Sequence, residues 1–253
     1  RGAKLADWAP AAVCLAVGYI ACNLALDVTT ATNVGFLVAL PVVFAPLIAQ
    51  IVRRVRYPRA MIPFQVAVVG GLYLLCRNGG SFSFGAGEAL SLLSSAAIAG
   101  SLVFGEKGLE KLSAPTIAGT QILAAFALSF AAAVTAEPVV DVATIEPAAW
   151  GVIVFLAILS TCVTFALQNV ALTGLPSSTV SLLLTGEPVF TALFSMALLG
   201  EFLSIGGWVG AGVILVAVVG ATLVEGRDGN SEAPLSAGME RLVSQLASDS
   251  NAR

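Results

Sequence analysis

The sequence predicts an all-α polytopic membrane protein with eight transmembrane helices and an inverted repeat. Three observations predict it: an apolar composition, a charge bias between alternate loops, and a short element that recurs about 146 residues later. Of 253 residues, 58% are hydrophobic and 11% charged, against roughly 25% charged in ordinary soluble domains. The mean hydropathy is +0.95. A net charge of −3 gives no electrostatic basis for nucleic-acid binding. The absence of histidine removes imidazole relays, His–metal sites and His-based triads. Cys14, Cys22, Cys76 and Cys162 lie in apolar runs without zinc-ligand spacing and read as small buried hydrophobes.

A span needs about 17–25 mainly apolar residues. Eight segments qualify: Trp8–Leu26, Ala31–Val52, Ala60–Cys76, Ala89–Phe104, Pro115–Thr135, Trp150–Asn169, Thr179–Leu199 and Ile205–Val224. Turn and charge signals such as RRVRYPR and GEKGLEK separate them. Nothing after the first apolar run reads as a cleavage site followed by a soluble domain. With both ends cytoplasmic, the inside segments hold eleven Lys and Arg residues and the outside ones only Arg77. Positive charge marks the cytoplasmic side, so this bias sets the orientation. From about Glu225 the chain becomes polar and reads as a cytoplasmic tail, with one short amphipathic stretch around Met239–Leu246.

The recurring element is Asn23-Leu-Ala-Leu26, echoed by Asn169-Val-Ala-Leu172. Each is followed by a proline-led motif, Pro41-Val-Val-Phe and Pro188-Val-Phe, at an offset of 146–147 residues. The charge count puts the turn after Leu26 outside and the turn after Leu172 inside. The element therefore crosses in both directions, as in carriers that build two oppositely open states around one midplane site.

The stretch from Phe165 to Gly220 resembles the second repeat of the EamA-type drug/metabolite transporters. Asn169–Leu172, Glu187-Pro188-Val189, Leu199-Gly200-Glu201-Phe202-Leu203-Ser204 and Gly210–Gly220 follow the family's order. The resemblance implies ten helices in two inverted repeats of five. Against that plan this chain has three helices of a first repeat over 1–79 and five of a second over 80–225, then the tail 226–253. It begins with Arg and reads as lacking the first two helices, with a genuinely eight-helix member as the alternative. The resemblance also implies an inner-membrane secondary transporter of small metabolites, amino-acid-like or drug-like, working by efflux.

An ionised side chain at mid-bilayer costs about 2.5–3.5 kcal/mol on insertion scales, so Glu187 needs an interior face or a partner. On an α-helix it shares a polar stripe with Thr191 and Ser195. Pro188 lacks an N–H, which predicts a kink and a freed carbonyl at Leu184. Two readings stay open. Glu187 either lines the substrate path, its protonation coupling flux to a proton gradient, or is a neutral packing group at a hinge. Thr161, Thr164 and Gln168 fall on one helical face; Gln168 suits a polar or zwitterionic solute, and interhelical hydrogen bonding is its alternative. Tyr19 and Asn23 occupy the repeat positions of Phe165 and Asn169, and mid-span Gln121 joins the candidates. Pro41 is the repeat mate of Pro188, with Leu40 in place of the carboxylate, and both prolines are candidate hinges. Ser91, Ser94, Ser95 and Ser101 read as packing residues. Glu201 reads as a turn carboxylate. Gly206, Gly210 and Ala217 form a close-packing face for a neighbouring helix or for a second copy in a homodimer.

The expected partners are a small-molecule substrate and the lipid bilayer, with no nucleic acid, cofactor, metal or catalytic set. The pattern G-x-x-x-x-G-K-[ST] is absent from the sequence. A membrane enzyme lacks its nucleophile–base or paired-carboxylate parts. A truncated packing or interaction subunit that moves no solute is the remaining alternative. Single cysteines placed after Leu26 and after Leu172 are expected to react with an impermeant maleimide from opposite sides of the membrane; a common side removes the inverted repeat.

Overall fold

The computed structural model describes residues 4–29, 31–54, 59–76, 85–136, 146–190, 193–194 and 204–227, and among them there is no strand. Thr191, Ser195, Glu201 and the tail beyond Arg227 lie outside the described residues. Helix α1 runs Leu5–Val28, α2 Ala31–Val38 and α3 Pro41–Val52. A 3₁₀ turn, Arg59–Met61, leads into α4, Ile62–Cys76. Then come α5 (Ala86–Leu109), α6 (Ala114–Ala136) and α7 (Pro147–Phe155). A π-helical stretch, Leu156–Val163, joins α7 to α8 (Thr164–Gly174), followed by α9 (Ser177–Leu184) and α10 (Ile205–Arg227).

Five described helical stretches are long and apolar enough to cross a bilayer: Leu5–Val28, Asn33–Val52, Ala86–Leu109, Ala114–Thr135 and Ala149–Gly174. Arg59–Leu74 and Ile205–Ala221 are shorter apolar helices matching the third and eighth expected spans. The chain is thus an all-α polytopic membrane protein. The seventh expected span is described as α9 and a further turn at 187–190. The fourth, read as Ala89–Phe104, belongs to a 24-residue helix. Its extra first turn is held by Glu88, whose Oε2 accepts the Gly85 N–H at 2.8 Å, the carboxylate half of a capping box.

Helix α5 is the post on which the bundle is built, touching α1, α2, α3, α8 and α9. Its serines behave as the sequence reading has them: Ser91, Ser94, Ser95 and Ser101 are fully buried. Ser94 Oγ donates to the Gly18 carbonyl of α1 at 2.8 Å, and Ser91 Oγ to the Gly87 carbonyl of its own helix at 2.8 Å. A methyl added at Gly108 would lie 2.6 Å from the Asp7 carbonyl oxygen, and one at Gly18 would lie 2.9 Å from Ile98. Only glycine permits so close a contact between two backbones.

Helices α4 and α10 form a second, antiparallel pair, Phe64 meeting Gly220 and Gly71 meeting Gly210 and Ile214. Val42, Leu182 and Val189 join Val68, Leu72 and Ile214 in one core and tie this pair to α3 and the seventh span. Gly210 and Ala217, read as a close-packing face, are thus buried inside the chain, Gly210 against α4.

Charged groups collect at one end of α5. Arg53, which caps α3, lies 3.4 Å from Glu106 and 3.2 Å from Glu110. Lys111 Nζ meets Asp7 Oδ1 at 2.7 Å, and this hydrogen bond pushes the ammonium pKa up. Glu106 also accepts the Ser177 N–H at 2.9 Å, so the turn after Leu172 lies at this end. Thr29 and Asn33 bond Glu88 at the other end, so the turn after Leu26 lies there. Glu88 and Glu106 are about 27 Å apart at 1.5 Å per helical residue. The two like-sequenced elements run in opposite senses.

Gly71→Ala places its methyl 2.9 Å from the Gly210 carbonyl oxygen, whereas Gly70→Ala meets nothing within 4 Å. The first is expected to lose about 1–3 kcal/mol of stability through overpacking. The second should leave the midpoint of unfolding in detergent unchanged or slightly raised.

Candidate functional site

The site begins at two interruptions. Helix α9 stops at Leu184, residues 185–186 turn, and the helix restarts at Glu187. The turn is held by Thr185 N–H to Leu182 and Gly186 N–H to Leu183, at 3.1 and 3.0 Å. The chain between α2 and α3 does the same: Leu40 N–H reaches Leu37 at 3.3 Å, and Pro41 opens the next helix. The expected proline kink is therefore a break in front of the proline. Pro41 and Pro188 sit in the first turn of the restarted helix, where a missing N–H costs nothing because that donor has no intrahelical acceptor.

Glu187 is exposed at the second break, and Tyr19 of α1 lies within electrostatic reach of its carboxylate and of Cys22. Tyr19 packs edge-on against Phe165 of α8, ring centroids 6.2 Å apart and planes at 80°. Leu15, Ala118 and Ile122 complete this cluster. Tyr19 and Phe165 are repeat mates, and equivalent residues of two inverted units can touch only near the axis that relates them.

The remaining candidates divide. Gln121 and Asn169 are fully buried and bond each other, Asn169 Nδ2 donating to Gln121 Oε1 at 2.8 Å and to the Phe165 carbonyl at 2.9 Å. Gln121 Nε2 and Asn169 Oδ1 face the side-chain-free surface of Gly105 and have no hydrogen-bond partner among the described residues. The pair ties α6 to α8. Asn23, the repeat mate of Asn169, is instead exposed, and Gln168 is half-buried.

The shared face of Thr161, Thr164 and Gln168 assumes α-helical winding throughout, and the structure differs. Residues 156–163 are π-helical, with Thr161 Oγ1 bonding the Leu156 carbonyl at 3.1 Å and Thr164 Oγ1 that of Leu159 at 3.3 Å. Wider π winding turns each residue through a smaller arc, so Thr161 rotates off the Thr164–Gln168 line. Cys162, read as buried, is exposed on this stretch, while Cys14 and Cys22 are half-buried.

Two carboxylates escaped the sequence reading. Glu88 is 4% exposed and accepts hydrogen bonds from Thr29 Oγ1, Asn33 Nδ2 at 3.0 Å and the Gly85 N–H. Glu106 receives Arg53 and the first N–H of α9. A carboxylate three residues after Gly85, in the first turn ahead of an apolar run, was the available signal for the first. Nothing local signals the second, whose partners are 53 and 71 residues away in sequence.

A helical membrane bundle made of oppositely inserted like elements, each with a broken helix, has the build of a secondary transporter. Residues 85–223 match the EamA-like transporter family, more than half of the chain, and the chain belongs to that family. It stands among transporters and not among enzymes. An uncharacterized transporter of Archaeoglobus fulgidus is 32% identical over 206 residues, 80% of this chain and 64% of that protein. The threonine/homoserine exporter RhtA of Escherichia coli K12 is 39% identical over 77 residues, 29% of this chain and 26% of the exporter. The chain thus spans less than two thirds of the length of either relative. One solved crystal structure superposes with a TM-score of 0.75 at 19% identity over 87% of this chain and 77% of its own; at that identity the likeness shows the fold.

A double-mutant cycle on Gln121→Leu and Asn169→Leu is expected to give a coupling of about 0.6–1.7 kcal/mol, the range for hydrogen bonds between membrane helices. Unfolding in detergent measures it, and strict additivity would remove the tie.

Proposed function

We propose that the chain forms the membrane core of a secondary transporter that exports small metabolites by alternating access between its two oppositely inserted units. Residues 1–79 supply three helices of the first unit, 80–225 the five of the second, and 226–253 a cytoplasmic tail. Both termini face the cytoplasm of the inner membrane, which rests on the positive charge at the Arg53 end. The single observation carrying this reading is the contact of repeat mates Tyr19 and Phe165, with Glu187 in electrostatic reach of Tyr19. It brings polar groups to the repeat interface, where carriers of this design bind substrate. The named activity of the Escherichia coli relative supports an amino-acid-like solute and outward movement.

In this reading Glu187 and Tyr19 line the path near the bilayer midplane. Gln168, Thr164, Thr161, Thr191 and Asn23 supply further polar contacts, and the Gln121–Asn169 pair backs the wall. Pro41 and Pro188 serve as the hinges at which the two broken helices bend. A homodimer would use a face other than the Gly210 surface that α4 covers.

Proteoliposomes loaded with threonine or homoserine are expected to show saturable, counter-substrate-stimulated uptake. Its complete absence with a folded protein returns the chain to the packing-subunit reading. Glu187→Gln is expected to retain folding and to flatten the pH dependence of flux. An unchanged profile removes proton coupling through this carboxylate and leaves the break a plain hinge.

A further inference from the structure

Glu88 and Glu106 sit on one helix, eighteen residues apart, and each holds the start of a broken helix. Glu88 receives Thr29 Oγ1 just before α2 and Asn33 Nδ2 within its first turn. Asn33 Nδ2 also reaches Thr29 Oγ1 at 3.4 Å, which closes a three-residue cluster. Glu106 receives the N–H of Ser177, the first residue of α9. Helices α2 and α9 are repeat equivalents, and they start at opposite ends of the bundle.

Resting on the transport reading above, we propose that Glu88 and Glu106 are positioning residues that clamp the two ends of the pathway and release in turn. Each clamp ties α5, the rigid post, to the half-helix leading to Pro41 or Pro188. Opening one end requires the start of α2 or of α9 to swing from the post, pivoting at its break. A carrier with both ends released would leak, so release of one clamp must accompany closure of the other.

The clamps differ in chemistry. The Glu88 clamp is buried and made of neutral donors. The Glu106 clamp includes Arg53, whose side chain is 22% exposed and which also reaches the 57% exposed Glu110. Dissolved salt therefore weakens the Glu106 end and leaves the Glu88 end untouched.

The test uses the full chain in proteoliposomes, with Cys14, Cys22, Cys76 and Cys162 replaced by alanine. Val34→Cys in α2 and Val180→Cys in α9 report on the two ends; both positions are 3% exposed. An impermeant maleimide is applied from either side. Glu88→Ala is expected to raise labelling at position 34 about tenfold, the scale of a population shift from a lost charged hydrogen bond, and to lower labelling at 180. Glu106→Ala should do the reverse, and Glu88→Gln, which keeps an acceptor, should restore protection at 34. The fall at the far end is the decisive readout, since a merely structural contact would loosen its own end alone. An increase confined to one end, or at both, overturns the proposal. If either alanine variant fails to fold, the unsubstituted pair Glu88 and Glu106 is read through salt: rising ionic strength should increase labelling at 180 and decrease it at 34, and no opposite movement overturns it. Reciprocal labelling without flux would sink the transport reading alone; flux without reciprocity would sink the clamps alone.

Discussion

The close approach of α1 to α5 is the constraint on which the rest of this bundle depends. Lipid tails are as apolar as leucine, so burying apolar surface gives membrane helices little reason to associate. What remains is dispersion at short range and a few hydrogen bonds, both of which demand small side chains at the contact. Gly18, Gly87, Gly100 and Gly108 supply that space, and Ser94 Oγ bonds the Gly18 carbonyl across it. Once α1 is seated, its C-terminal end brings Thr29 to Glu88, and its mid-length brings Tyr19 to Phe165. The site is a consequence of this packing.

The pair α4 and α10 shows the same logic from a different side. Gly71 and Gly210 meet backbone to backbone, with Phe64 seated over Gly220. Its link to the bundle is apolar, through Val42, Leu182 and Val189. Val42 and Val189 each follow a break directly, at Pro41 and Pro188. The residue after each break is therefore packed directly into the core of the α4–α10 pair.

The apolar spans and the opposite running directions of the two like-sequenced elements were legible because they rest on average properties: hydropathy over about twenty residues, loop charge, and an element that recurs. The breaks were half legible. Proline forecast an interruption, but its form, a clean restart with the proline in the first turn, depends on Gly186 and on the turn bonds of Thr185 and Leu40. The π winding at Leu156–Val163 was not legible, because its sequence LAILSTCV carries no residue that forbids an α-helix. Partner choice was the least legible. From sequence Gln121 reads as a mid-span polar group and Asn169 as the start of a recurring element, and only the fold reveals that each is the other's partner. Glu106 looked like loop charge until Ser177 and Arg53 were placed beside it.

Broken symmetry carries the final step. An inverted duplication begins with equal halves, and equal halves would give identical inward and outward states. Here several repeat-related features differ in residue type, exposure or winding while keeping their place. Leu40 stands where Glu187 stands, exposed Asn23 opposite buried Asn169, and the α-helical α1 opposite a partly π-helical span. On the transport reading proposed above, the backbone plan, with a break before each proline and a half-helix pinned at each end, is retained because alternation needs two interchangeable shapes. In that reading the side chains are freed from symmetry because a solute with distinct ends needs only one carboxylate. Divergence at Glu187 against retention at Pro41 and Pro188 would then separate residues that shape the motion from those that meet the cargo.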